Sequence, residues 1–309
     1  MFWNLFNREP KAFNSGWLPA RDGHEIFYHE FGNPKGKPVL AFHGGPGSCS
    51  KPRSAAIYDL KKFRIILFDQ RGCGKSRFQN RLYRNTTADT LSDAVRLLEH
   101  LGVRGKTVIA GGSFGSTLAL SFAEKYPARV EKLVLSMIFL ARRRDVEGWS
   151  LGDAKRFYPE FIEEVERRAG GRNVDAHFNK LLHSKKRADV ESAVKYYGGF
   201  EDIMGSLSPE FKLPEGEEFD HVRGYLEIFL HYDMNGYFLA ENQLLKNAGR
   251  IRHIPALIVH NRLDLCCPVE QAWELHKALP KSRLRIVPAL GHWSDMLIAE
   301  QKALLNKFL

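Results

Sequence analysis

One serine, one aspartate and one histidine stand in this chain where nucleophilic hydrolysis would use them: Ser113 in Gly111-Gly112-Ser113-Phe114-Gly115, Asp264 in Asn261-Arg262-Leu263-Asp264, and His292 in Gly291-His292-Trp293. A serine hydroxyl is a weak nucleophile until a neutral imidazole takes its proton. That imidazole in turn needs a buried carboxylate to fix its tautomer and stabilise its cation. The glycines two residues either side of Ser113 let a strand fold directly into a helix, which lifts the hydroxyl clear of the sheet. The same turn aims the Phe114 amide, at the positive end of the new helix, toward the space where a carbonyl oxygen becomes an oxyanion. An oxyanion needs a second donor, and His43-Gly44-Gly45-Pro46-Gly47 is a rigid loop whose backbone can approach a ligand closely, with Gly44 or Gly45 as the donor. The set calls for no metal and no cofactor.

These residues need elements to hold them. The apolar runs before the serine turn alternate strand and helix signals, which predicts a mostly parallel central sheet with helices on both faces. Residues 17–20 and 25–29 read as an opening hairpin, 38–42 and 63–68 as buried strands, and the apolar, β-branched run from Val108 as the strand that enters the turn. Residues 90–101 have helical periodicity, with Asp89 or Thr90 as the cap and Gly102 as the stop. Asp264 follows one further strand and His292 the last. The chain order Ser, Asp, His is the one expected of the α/β-hydrolase fold. Between residue 140 and about 245 the alternation gives way to helical sequence, so the expected organisation is a core of 1–140 and 246–309 with an inserted helical cap at 141–245.

The chain has 309 residues, a formal charge of +10 and 44% apolar residues, enough for an extensive core. Lys and Arg are scattered, and the longest runs, Arg142-Arg143-Arg144 and Lys185-Lys186-Arg187, lack interleaved aromatics, which argues against a nucleic-acid partner. Gly74-Lys75-Ser76 suggests a phosphate loop, but the glycine that such a loop needs five residues earlier is Asp69. That segment is expected instead to pack under the site, with Asp69 and Arg71 positioning backbone. No run is long enough to span a membrane, residues 1–6 read as a short surface strap, and Cys49, Cys73, Cys266 and Cys267 lack zinc-like spacing. Reduced thiols in a cytoplasmic protein are the expectation. The cap segment holds 15 Lys and Arg against 20 Asp and Glu. That excess either faces a cationic substrate or lies on the outer surface.

Assembled, these motifs resemble the prolyl aminopeptidase (proline iminopeptidase) family of α/β-hydrolases over nearly the whole chain. The resemblance is carried by residues 43–47, by Asp69-Gln70-Arg71-Gly72-Cys73-Gly74-Lys75-Ser76, by Asn85-Thr86-Thr87, by 111–120, by Cys267-Pro268 with Ala272-Trp273, and by Gly291-His292. It implies release of N-terminal proline, or another small residue, from short peptides, with cap glutamates holding the free amine. Tyr197-Gly198-Gly199-Phe200-Glu201 is similar to the family's Trp-x-x-Trp-Glu segment, which makes Glu201 the matching amine-binding residue. The family's second glutamate falls on Phe229, shortly before His231-Tyr232, and Glu227 lies two residues out of register. On a helix that offset points Glu227 elsewhere, yet it stands with Glu201 and Phe229 among the candidate substrate-binding residues. Phe114 stands where the family has tryptophan and is expected to keep an aromatic wall. A related ester or amide hydrolase needing no free amine is the alternative. A non-enzymatic binding protein would have no use for the three residues in this order.

Overall fold

The computed structural model describes residues 9–147, 154–206 and 212–309; the strap expected at residues 1–6 lies outside them. Among the described residues, nine strands form one sheet: β1 (Asn14–Arg21), β2 (His24–Gly32), β3 (Lys37–Phe42), β4 (Phe63–Phe68), β5 (Arg77–Phe78), β6 (Thr107–Ser113), β7 (Val130–Ile138), β8 (Ala256–Leu263) and β9 (Ser282–Leu290). The order across it is β1-β2-β4-β3-β6-β7-β8-β9, with β5 paired to β2. From β4 through β9 along that order every pairing is parallel, and β1 and β2 add antiparallel pairings at one edge. The mostly parallel sheet expected from the sequence is the sheet observed.

Side chains on a strand alternate between faces, so a sheet covered on both sides must bury odd and even positions alike. Leu40, Ile66, Ile109, Leu135 and Ile258 join one apolar cluster, while Val39, Ile65, Val108, Val134 and Leu257 join the other. Helices α1 (Thr87–His100) and α2 (Phe114–Lys125) cover the first face. The chain then runs through α3 (Arg143–Glu147), α4 (Pro159–Ala169), α5 (Val174–Leu182), α6 (Arg187–Ala193), α7 (Gly199–Ser206), α8 (Gly216–Asp233) and α9 (Gln243–Lys246) before the sheet resumes. Helix α10 (Val269–Ala278) joins the first face, and α11 (Asp295–Phe308) covers the second.

Helices α4, α5, α6 and α8 share an apolar cluster of their own, built on Val165, Phe178, Val190, Leu226 and Leu230. Helix α8 also gives Ile228 and Tyr232 to the cluster under the sheet. Several acids of this stretch meet bases at its surface: Glu164 with Arg167 and Arg168, Glu166 with Lys155, and Glu191 with Arg187. For these residues the outer-surface placement of the acidic excess holds. No helix among the described residues is long and apolar enough to cross a membrane.

The cap of α1 corrects one expectation. Thr86, not Asp89 or Thr90, is the N-cap: its backbone is extended, and its hydroxyl accepts from the Asp89 amide at 3.2 Å. The hydroxyl also donates to the Asp89 carboxylate, so Asp89, at the third helical position, holds the capping side chain in place. Arg71, 1% exposed, donates to both oxygens of Asp93 at 2.6 and 3.1 Å and to the Arg84 carbonyl, which ties the loop after β4 to α1.

Glu124 is buried on α2. Burial pushes its carboxyl up to about 7, against the opposing effect of hydrogen bonds from Asn247 and Gln243. Its other oxygen, Oε1, has no hydrogen-bond partner among the described residues. Because the folded value lies above the ordinary 4.5, the folded chain holds this proton more tightly. The stability it contributes is present at low pH and lost as pH rises through about 7. Glu124→Gln, neutral at every pH, should therefore raise Tm more at about pH 8 than at about pH 5 in thermal melts. An equal shift at both would mean that the carboxyl titrates as it does in water.

Candidate active site

Ser113 ends β6 with φ +56° and ψ −133°, a left-handed backbone that a serine adopts only under compulsion from its surroundings. The compulsion is steric and polar together. A Cβ on Gly111 would lie 2.0 Å from the Gly115 carbonyl oxygen, and one on Gly115 would lie 2.3 Å from the Phe42 carbonyl oxygen. Only glycines fit both places. The Ser116 hydroxyl donates to the Ser113 carbonyl at 2.7 Å and accepts from the Phe139 amide at 3.1 Å, while Thr117 donates to the Phe139 carbonyl at 2.6 Å. The turn is thus pinned to the end of β7. Ser113 makes no side-chain cap for α2, and the Phe114 amide stands at the positive end of that helix.

The loop after β3 passes close beside the serine. A Cβ on Gly44 would fall 3.3 Å from Ser113 Cβ and 3.8 Å from its Oγ, and Gly45 has φ +110°. The loop after β4 holds this one in place, as expected of Asp69. Asp69 Oδ1 accepts from the Ser50 amide and hydroxyl at 2.7 and 2.6 Å, and its Oδ2 accepts from the Lys75 amide at 2.7 Å. Gln70 adds two contacts that sequence reasoning missed: its side chain donates to the His43 carbonyl and its amide donates to His43 Nε2. Since Nε2 must accept, the His43 proton sits on Nδ1, where it donates to the Gly44 carbonyl at 2.9 Å. Burial lowers the His43 pKa and keeps the ring neutral in this role.

Asp264 and His292 are in direct contact. His292 Nδ1 donates to Asp264 Oδ2 at 2.8 Å, and both side chains are buried. The Cys267 amide donates to Asp264 Oδ1 at 2.9 Å, so each carboxylate oxygen has a fixed donor. The loops carrying them are laced together: Gly291 donates to the Leu263 carbonyl, Asn261 donates to the Gly291 carbonyl, and the Ser294 hydroxyl donates to Asn261. His260 lies 3.6 Å from Asp264 but is no ionic partner. Its Nδ1 accepts from the Ile138 amide, its Nε2 donates to the Cys267 carbonyl, and burial lowers its pKa. Burial also holds the Cys267 thiol well above its ordinary value, which keeps it protonated.

Ser113, Gly44, Gly45 and His292 open together into a cleft of about 1080 Å³ whose walls include Phe139, Tyr225, Phe229, Tyr237 and Trp293. The Phe114 ring is not among them, which corrects the expected aromatic wall. It is 0% exposed and packs against Tyr232 and Tyr237 at ring-centre distances of 5.1 and 5.7 Å, because the first side chain of α2 points back under the sheet's own cover. Tyr237 takes the wall position, and its hydroxyl donates to Asp233 at 3.0 Å. Nothing in the local sequence around Tyr237 signals this, since its placement depends on three elements meeting.

Glu227 is also corrected as a substrate-facing candidate. It pairs with Arg223 at 3.0 Å and Arg81 at 3.7 Å and is not part of the cleft lining, whereas Phe229, two residues on along α8, is. Two helical positions differ by about 200°, so both cannot face one cleft. Glu201 lies on α7, but its side chain is outside the described residues.

Residues 37–296 match the alpha/beta hydrolase fold family. The chain is 40% identical to a probable proline iminopeptidase of Leptolyngbya boryana, covering 91% of this chain and 88% of that one. It is 39% identical to a proline iminopeptidase of Neisseria meningitidis serogroup B, with 91% of each covered. Among solved structures it is similar in fold to a hydrolase from Pseudomonas aeruginosa, with a TM-score of 0.65 at 18% identity over 96% of this chain and 99% of that one. A proline iminopeptidase-related protein from Thermus thermophilus superposes with a TM-score of 0.60 at 18% identity, covering 95% and 96% respectively.

Proposed function

This chain belongs to the alpha/beta hydrolase fold family and, within it, to the proline iminopeptidases, and on that footing we propose that Ser113, His292 and Asp264 release N-terminal proline, or another small residue, from short peptides through an acyl-enzyme. The observation that carries this reading is the His292–Asp264 hydrogen bond at 2.8 Å opening onto the same cleft as Ser113. With its Nδ1 proton held by Asp264, neutral His292 presents Nε2 as the acceptor for the serine proton. Ser113 Oγ attacks the carbonyl of the first residue. The oxyanion takes hydrogen bonds from the Phe114 amide and from Gly44 or Gly45. His292 returns the proton to the leaving amine, and water, activated by the same imidazole, frees the acid. The thiol state of the four cysteines supports a cytoplasmic setting.

In this reading the helices between β7 and β8 form the cap, residues 141–245, and Glu201 pairs with the substrate's α-ammonium. Glu201→Gln would leave that cation unpaired in a partly desolvated pocket, a loss of roughly 2 to 5 kcal/mol, or about 30- to several-thousand-fold in kcat/KM. Simple aryl esters carry no such cation and should change only a few-fold. The comparison is made between a proline arylamide, its N-acetyl form and an aryl ester. Equal losses on all three would favour the second reading, an esterase or amidase with no free-amine requirement. That reading has one observation on its side: the cleft wall carries Phe229, and Glu227 is turned away from it.

A further inference from the structure

Asp264, Cys266 and His292 bring together three donors of different chemistry: a carboxylate oxygen, a sulfur and an imidazole nitrogen, all within 4.8 Å of one another. We propose that these three side chains form a site for a soft divalent cation, zinc above all, whose occupancy switches the hydrolase off. Oxygen, nitrogen and sulfur together are the donor set of a zinc site with three protein ligands and one open position. Tetrahedral bonds of about 2.0 to 2.1 Å to N and O and about 2.3 Å to S place such donors roughly 3.3 to 3.6 Å apart. The observed separations bracket that range, from the 2.8 Å between His292 Nδ1 and Asp264 Oδ2 to the 4.8 Å limit of the group. Closing the coordination sphere from a 4.8 Å separation takes a combined side-chain movement of about 1.2 Å.

Two of the three ligands are already immobilised. Asp264 is fixed through the Cys267 amide and His292 through Asp264. Cys266 is half-buried and lines the cleft, so a cation can reach it from solvent and the fourth position faces the space that substrate occupies.

Binding has a definite proton balance. The Cys266 thiol releases its proton to solvent and the thiolate takes the metal. If the cation takes His292 Nδ1, the ring proton moves to Nε2, which can then no longer accept from Ser113. If the cation takes Nε2, the accepting lone pair is consumed. Either way the base is lost, and chelation restores it. Inhibition rests on the reading of His292 as the base, whereas the binding itself does not.

The test uses the full-length protein stripped with a chelator. Zinc chloride is titrated against proline-arylamide turnover, and cobalt chloride is titrated in parallel with near-ultraviolet absorption, where a thiolate ligand gives a charge-transfer band. We expect one zinc per chain, loss of turnover reversed by chelator, a cobalt–thiolate band, and in Cys266→Ser no band together with an inhibition midpoint raised at least about tenfold. The cobalt band reads the site even if proline arylamide is not a substrate, which separates failure of this proposal from failure of the proposed activity. An absent band, a band that survives in Cys266→Ser, or equal zinc midpoints in the two proteins would overturn it.

Discussion

Ser113→Ala should lose turnover by roughly four to six orders of magnitude in a protein that still melts close to wild type. The expected size follows from how such groups act. Nucleophile, base and orienting carboxylate work as a unit, so removal of the nucleophile leaves only what binding and the oxyanion donors contribute. Stability should change little, because what forces Ser113 into its left-handed backbone is the crowding of Gly111 and Gly115 and the Ser116 hydrogen bond, none of which involves Oγ. A fluorophosphonate should label wild type at Ser113 and leave the alanine variant unlabelled. Labelling at another residue, or turnover within tenfold of wild type, would remove the serine mechanism.

Asp264→Asn should depress kcat by about ten-thousand-fold across the whole pH range. The structure gives the reason in terms of which way the amide must face. The Cys267 amide donates to Asp264 Oδ1, and an asparagine can satisfy that donor only by placing its oxygen there. Its NH2 group then points at His292 Nδ1, where a carboxylate oxygen stood at 2.8 Å. Nδ1 becomes an acceptor and the ring proton moves to Nε2. In that tautomer His292 has no lone pair for the Ser113 proton, although every heavy atom stays close to its original place. Rates are compared by steady-state kinetics over the pH range where both proteins remain folded. An Asp264→Asn protein within tenfold of wild type would reassign the orienting role to another carboxylate.

The parts of this protein legible from sequence are those in which local geometry and chemistry coincide. Gly111, Ser113 and Gly115 announce a cramped turn because their spacing is dictated by contacts within that turn. The near-continuous apolar runs of β3, β4, β6, β7 and β8, spaced by helical sequence, announce a doubly covered sheet because both faces must be buried. Glu227 could be excluded from the Phe229 face by helical arithmetic alone, and its pairing with Arg223 and Arg81 agrees. What sequence reasoning missed depends on partners far along the chain. The Phe114 ring went under the sheet because Tyr232 and Tyr237 make a pocket for it there, and the cleft wall fell to Tyr237 instead. His43 and Gln70 brace the Gly44 loop through backbone atoms, which carry no signature in the sequence. The α1 cap was misplaced by three or four residues because Thr86, Thr87, Asp89 and Thr90 are all capping types and only the backbone angles choose among them.

The helices α3 through α9 leave the sheet after β7 and return before β8, and these two strands are direct neighbours, with Leu133 opposite Ala256 and Ser136 opposite Val259. The excursion therefore begins and ends at one seam. Its length, helix count and surface can drift over generations without moving any strand past another, since the pairing of β7 with β8 is set by residues outside it. Ser113 and its two partners lie wholly outside the excursion, while Tyr225 and Phe229 in the cleft wall lie within it. Inheritance can thus alter diet and chemistry separately: a duplicated copy of this gene can acquire a new substrate through changes confined to one uninterrupted segment, with the reacting atoms unchanged.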